Sequence, residues 1–416
     1  MSDIARIAHM SAARGYGVAV SLATLCISAR LLGPEGRGTF GAALAWAALF
    51  ATLANLSLGQ ALQHRLQVAD TKPSLAEQLG TLGGLGLLLS ALAIAVAGGL
   101  FFLTSGDLFK GISPSLLGLA FAAVPLLVWE QYASNILAAS ARTDILNRSQ
   151  YWGRSIGLGL FLVFLMEMGW GVAGALGSQL LAQLLVAALT VVPLWRIAGR
   201  RVAWASREIR PMVRSGGVIH LTTVSAFALD QVSILVINNY LGAQEVGFYQ
   251  LAQQMVGLLL IVPQSALMVI YGGLAKTSPD AFWPEHRRLA TKLLGGMLAA
   301  SLLAYLAAPS LVVLVAGEKF TPSAAMFRAL LPSVLGLSLA LLMTPQWIGR
   351  GLLRLNMVLT LATSLVVVAF SFWAIARFGV EGAIYVRLAV FALWVPLMQG
   401  LFWLWCNRVA KISATG

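Results

Sequence analysis

The sequence predicts an all-α integral membrane protein, with about twelve transmembrane helices in two pseudo-symmetric six-helix lobes around a central cavity. Three observations predict it. Apolar stretches recur along the chain at about 20 residues each, the length a helix needs to cross a hydrocarbon core roughly 30 Å thick. Hydrophobic residues make up 59% of the chain and charged residues 10%, where an ordinary soluble domain carries about 25% charged. Landmarks of the first half also recur in the second at an offset of about 209 residues, the mark of an internal repeat.

Lipid offers no partner to an unpaired backbone amide, so each stretch must be helical. The spans of the first half are expected at Gly15 to Leu31, Thr39 to Leu62, Leu79 to Phe102, Ser115 to Ala139, Ser155 to Met166 and Val172 to Trp195. Those of the second are expected at Gly217 to Leu241, Phe248 to Gly273, Lys292 to Ala316, Met326 to Ile348, Met357 to Ala376 and Ala383 to Cys406. The fifth is short, and its ends are expected to extend toward Tyr151 or Glu167. The lobes are then residues 1–195 and 217–416, joined by a basic linker, 196–216. Trp195, Trp204, Ile209 and Met212 among the linker arginines suit either a short interfacial helix or a solvated loop.

The repeat is legible in the turns. Leu32-Gly33-Pro34-Glu35-Gly36-Arg37-Gly38 has its counterpart in Leu241-Gly242-Ala243-Gln244-Glu245-Val246-Gly247. Gly171-Val172-Ala173-Gly174-Ala175 recurs as Gly379-Val380-Glu381-Gly382-Ala383, and Ile145-Leu146-Asn147 pairs with Arg354-Leu355-Asn356. Six spans per half make the repeats parallel, the arrangement of many transporters. Gly33, Gly36 and Gly38 are expected to supply positive backbone dihedrals to a tight reversal.

Roughly 21 of the 28 basic residues fall on one side of this topology, which by the positive-inside rule makes that side cytoplasmic, with both termini there. The polar start Met1 to Ser11 runs into a span with no small-residue cleavage pattern, so it reads as an uncleaved anchor. The formal charge of +13 is spread over every inner loop, as topology demands, and does not indicate nucleic acid. Cys26 and Cys406 lie in spans and imply no disulfide framework; no Cys, His and carboxylate cluster has metal-ligand spacing. No Lys-Ser or Lys-Thr pair follows a glycine run, so ATP hydrolysis is unsupported and no cofactor is expected. His9, His64, His220 and His286 are scattered, with His64 and His286 placed in solvated inner loops, and no nucleophile faces any of them at a recognisable spacing. The chain is not read as an enzyme.

Polar residues form stripes. Span one carries Arg14, Gly17, Ser21, Thr24 and Ser28 along one face, and span seven Thr223, Asp230 and Ser233. Span two presents Thr52, Asn55, Gly59 and Gln63; span eight presents Gln250, Gln253, Gly257 and Gln264. Such stripes line a cavity or serve helix association through interhelical hydrogen bonds. Asp230 and Glu130 sit deep in spans seven and four. A carboxylate there costs about 2.5 to 3.5 kcal/mol on insertion scales, so it must meet water, a cation or a proton. Both are candidate ion-coupling residues, for H+ or Na+; the bland alternative is a satisfied structural pair.

The segment Arg14 to Gln63, centred on Ala29-Arg30-Leu31-Leu32-Gly33-Pro34-Glu35-Gly36-Arg37-Gly38, resembles the first helix pair of polysaccharide flippases of the O-antigen exporter type. Leu229-Asp230 followed by Tyr240-Leu241-Gly242-Ala243-Gln244-Glu245-Val246-Gly247-Phe248-Tyr249 is similar to their seventh and eighth helices. The resemblance implies the superfamily that joins these exporters to the lipid II flippase and the multidrug and toxin extruders. It implies two lobes alternating between inward-open and outward-open forms. It also implies an undecaprenyl-diphosphate-linked oligosaccharide, moved from the cytoplasmic to the periplasmic leaflet of a bacterial inner membrane, with partner glycosyltransferases and a glycan polymerase. The first lobe lacks the dense arginine cluster of lipid II flippases, so the peptidoglycan precursor is not the expected cargo.

A diphosphate suits the guanidinium fork, which makes Arg14, Arg30 and Arg387 binding candidates with Asn55, Gln63, Gln253 and Gln264; snorkelling to headgroups is the alternative for each arginine. Three other readings compete: a multidrug and toxin extruder acting as a cation-coupled antiporter, a facilitator-type transporter, and a membrane glycan polymerase or ligase. The inner loop His64 to Gln78 lacks the Gly, Asp and Arg pattern of the facilitators, and the longest outer connection, Leu103 to Pro114, is short for an acceptor-handling enzyme.

Overall fold

The computed structural model describes the backbone of residues 3–68 and 72–415, and the side chains of residues 16, 17, 19–66 and 72–410. The side chains of Arg14 and His9 lie outside the described residues. Among the described residues sixteen α-helices follow one another: α1 (Asp3–Asn55), α2 (Leu58–Val68), α3 (Leu75–Leu103), α4 (Pro114–Ala122), α5 (Val124–Ala139), α6 (Thr143–Leu162), α7 (Gly171–Ile197) and α8 (Ser206–Leu241). The chain continues with α9 (Ala243–Leu259), α10 (Ile261–Leu274), α11 (Pro279–Ala316), α12 (Thr321–Leu330), α13 (Pro332–Gly349), α14 (Leu353–Phe378), α15 (Val380–Leu388) and α16 (Val395–Thr415). Among the described residues there is no strand.

Nine helical stretches among the described residues are long and apolar enough to span a membrane, and the pair 318–330 and 332–349, bent by 54°, makes a tenth. Two features reconcile this with about twelve spans. The stretch Ala19–Leu66 is 48 residues long and breaks at Gly33 (φ 66°, ψ −177°), where Pro34 follows, so it holds two spans. The fifth span, α6, carries Asp144, Arg148 and Arg154, and so fails an apolarity test while keeping the length. It begins at Thr143, earlier than expected, and runs on through a wide π-type turn, Val163–Glu167.

Of the three glycines in the first reversal, only Gly33 takes a positive φ. Gly36 stays helical and is small for another reason: a Cβ there would stand 3.2 Å from Leu32 Cβ and 3.5 Å from Val172. The repeated landmarks do share the conformation, with positive φ at Gly33 and Gly242 (66° and 96°) and at Gly171 and Gly379 (52° and 63°). These are values a side chain disfavours, so glycine suits each repeated turn.

The chain forms two compact units, residues 1–227 with 242–244, and residues 228–241 with 245–416. The division thus falls inside α8. In unit 1, Phe161, Leu165 and Ala175 pack with Ile27, Leu32, Phe40 and Phe164. An aromatic group of Trp46, Phe50, Phe109 and Phe121 closes another side, with centroids 4.7 to 6.4 Å apart. In unit 2, Val367, Ala374, Val386, Val390, Phe391 and Val395 pack against Leu229 and Val232 of α8. A second group holds Trp283, Met343, Trp347, Phe402 and Cys406.

The basic segment before α8 is neither a separate helix nor a free loop. Residues 201–205 belong to no helix or strand, and Ala203 and Ala205 donate backbone N–H bonds to Ala76 O and Thr81 Oγ1 of α3, both at 3.0 Å. Arg65 of α2 then pairs with Glu208 at 2.7 Å, and Arg207 with Glu77 at 3.1 Å. The start of α8 is therefore fastened to unit 1 by backbone bonds and charge together.

Candidate functional site

Unit 2 brings three of the expected residues into one group. Asp230 and Ser233 lie one turn apart on α8, Tyr249 and Gln253 one turn apart on α9, so the two helices present matched polar pairs. Gln253 Nε2 donates to the Asp230 carbonyl at 2.7 Å and to its Oδ1 at 3.1 Å, while Gln231 Nε2 donates to Oδ2 at 2.6 Å. Tyr249, almost wholly buried, lies beside Ser233 and Arg387 of α15. Arg387 lies buried with its guanidinium 5.4 Å from the centre of the Phe391 ring. Burial beside Phe391 keeps it inside the protein, which speaks against the snorkelling alternative for this arginine.

Two atoms of this group have no hydrogen-bond partner among the described residues, Arg387 Nε and Gln253 Oε1. A buried donor and a buried acceptor left open are costly, at about 1–3 kcal/mol each. The Asp230 carboxylate is exposed, and its side-chain donors among the described residues are neutral amides. The group can therefore bind a small cation through carboxylate and amide oxygens, or an oxyanion through the guanidinium. No cluster of three or more His, Cys, Asp and Glu side chains among the described residues could hold a metal.

Unit 1 holds a second group. Glu130 of α5 accepts from Gln150 Nε2 of α6 at 2.6 Å, so its carboxylate has a neutral partner. One turn away from that pair, Arg154 lays its guanidinium over Gly17 of α1, where a Cβ would overlap Nη1. The Tyr16 hydroxyl bonds Ser155 Oγ, and the Tyr16 and Tyr151 rings lie 4.6 Å apart. Asn55 is buried, and its carbonyl accepts the Tyr132 hydroxyl at 2.7 Å.

The remaining expected residues stand apart from these groups. Arg30 and Gln264 are exposed and Gln63 is half-buried. Several stripe hydroxyls are satisfied by their own helix: Ser21 bonds Gly17 O and Thr24 bonds Val20 O, the local bonding that Ser and Thr make within a helix. Ser28 is buried against Arg37. Thr223 pairs with Ser57 at 3.1 Å, within unit 1.

Sequence reasoning missed a network at the start of α11. That helix opens at Pro279 with Ser278 as its cap, earlier than expected, and so His286 is fully buried and not in a solvated loop. Its Nδ1 meets Gln346 Nε2 at 2.9 Å, Gln346 Oε1 accepts from Arg350 Nε at 3.1 Å, and Arg350 pairs with Asp280 at 2.7 Å. The Ser-Pro-Asp start at Ser278 was the available signal for the earlier helix.

A family model described as polysaccharide biosynthesis protein matches residues 6–277. Solved structures of similar fold include an inward-facing multidrug resistance MATE family transporter of the MOP superfamily, at 16% identity and TM-score 0.68, covering 95% of this chain and 94% of that one. An outward-facing form of such a transporter aligns at 17% identity and TM-score 0.57, over 97% and 93% of the two chains. A MOP superfamily transporter from Pyrococcus furiosus, described as having a binding pocket of reverse polarity, aligns at 17% identity and TM-score 0.56, over 96% and 93%. No curated protein matches the chain.

Proposed function

We propose, because the chain belongs to the polysaccharide biosynthesis protein family, that it is a flippase. It moves a polyprenyl-diphosphate-linked oligosaccharide from the cytoplasmic to the periplasmic leaflet of a bacterial inner membrane by alternating access. The family match across residues 6–277 carries this reading, and the MOP-type fold supports it. The topological repeats are residues 1–195 and 217–416, joined by the basic segment 196–216, with both termini cytoplasmic under the positive-inside rule. Glycosyltransferases supply the cargo and a polymerase consumes it.

No covalent step is required, so the working parts are binding groups. Arg14, Arg30 and Arg387 are the cations offered to the diphosphate, and Asn55, Gln63, Gln253 and Gln264 the amides offered to it and to sugar hydroxyls. Asp230 and Glu130 are the carboxylates offered to a coupling H+ or Na+. A second reading is a cation-coupled multidrug antiporter, favoured by the exposed Asp230 carboxylate with its neutral partners and by the likeness to MATE structures.

Deleting the gene and probing lipid-linked oligosaccharide with a sugar-reactive reagent that cannot cross the inner membrane separates the two. The flippase reading expects probe-protected glycan to accumulate and the wild-type gene to restore exposure. A normal exposed pool together with new drug sensitivity would favour the antiporter.

A further inference from the structure

The early start of α6 moves Arg154 from a loop-side position into the body of a span. From Thr143 to Glu167 the helix and its π-type turn measure about 37 Å, and Arg154 lies about 17 Å from one end and 20 Å from the other. A charge at that depth is a functional-site hypothesis by default. Among the described residues the ion pairs involve Arg65, Arg142, Arg207 and Arg350, not Arg154. Glu130 of α5 is engaged by the amide of Gln150, one turn before Arg154 on α6. Arg154 is exposed, yet its guanidinium has a built seat: Gly17 leaves the space that a Cβ would fill. The Tyr16 to Ser155 bond and the Tyr16 and Tyr151 ring contact tie α1 to α6 beside that seat.

We propose that Arg154, seated on Gly17, is a further residue of unit 1, beside the arginines already offered, that binds the phosphate oxygens of the transported lipid, an assignment that rests on the flippase reading. A seated guanidinium offers two parallel N–H donors to a diphosphate, which a lysine cannot match. The same chemistry suits an anionic lipid headgroup or free pyrophosphate, so the test must separate the sources.

The full chain is reconstituted in phosphatidylcholine nanodiscs and titrated with farnesyl diphosphate, then challenged with inorganic pyrophosphate or with added phosphatidylglycerol. Arg154→Ala is expected to weaken farnesyl diphosphate binding about ten- to a hundredfold, with Arg154→Lys recovering part. Gly17→Val keeps the charge but fills its seat, and is expected to weaken binding likewise, a second route should Arg154→Ala fold poorly. Unchanged affinity in both variants overturns the assignment while leaving the flippase reading intact. Binding of phosphatidylglycerol tighter than that of farnesyl diphosphate overturns it in favour of a headgroup site, and tighter binding of pyrophosphate in favour of a free-phosphate site. A wild-type protein that binds no farnesyl diphosphate and whose deletion leaves lipid-linked glycan exposed overturns both.

Discussion

Replacing Arg65 with alanine tests how α8 is fastened to unit 1. Arg65 Nε stands 2.7 Å from Glu208 Oε2, and the glutamate side chain is 4% exposed against 25% for the arginine. Removing the arginine leaves a carboxylate with little water and, among the described residues, Arg207 at 3.8 Å and 63% exposed as its remaining ion pair. Breaking a fully buried pair costs about 3–5 kcal/mol. The partial exposure of Arg65 and the residual Arg207 reduce this to about 2–3 kcal/mol, since solvent screens part of the interaction. In a unit of this size each kcal/mol shifts the melting temperature by about 2–4 °C, so Arg65→Ala should lower the melting point of unit 1 by about 5–10 °C. Glu208→Gln should cost less, because a neutral amide is cheaper to leave in that site and keeps an acceptor near the N-terminus of α8. The assay is thermal unfolding of the detergent-solubilised protein with a double-mutant cycle across the two positions. A melt for Arg65→Ala within about 2 °C of wild type, or a coupling under about 0.5 kcal/mol, would refute the reasoning.

Gly336→Ala should prevent proper packing of α13, because its Cβ would overlap the Phe391 carbonyl oxygen; loss of folded protein in fluorescence size-exclusion is the readout, and a well-behaved variant would contradict it. Tyr132→Phe removes the 2.7 Å bond to the Asn55 carbonyl and should cost about 1 kcal/mol, seen as a lower melting temperature. Asp230→Asn should abolish ion coupling if the carboxylate carries it; unchanged transport with unchanged pH dependence in proteoliposomes would remove Asp230 from that role.

Much of the architecture was legible because membrane chemistry writes itself into one dimension. Span length and the paired turns at Gly33 with Gly242 and Gly171 with Gly379 need no knowledge of packing. Span five shows where that fails. Asp144, Arg148 and Arg154 made its first part look like a loop, and only contact with α1 explains how an arginine is accommodated there. α11 fails in the same way: Asp280, His286 and Arg287 read as solvated loop, whereas Asp280 and His286 satisfy one another's neighbourhood through Arg350 and Gln346.

The sequence by itself determined that the chain is a helical, duplicated membrane protein, because backbone satisfaction in lipid and glycine-only dihedrals are local requirements. Tertiary structure decided which polar residues act together. Asp230, Tyr249, Gln253 and Arg387 meet only because α8, α9 and α15 pack side by side, and Ser21 and Thr24 drop out because their own helix carbonyls satisfy them. A stripe of polar residues has the same spacing whether it faces a partner helix, a ligand or its own backbone, and the choice among these is made by neighbours remote in the chain.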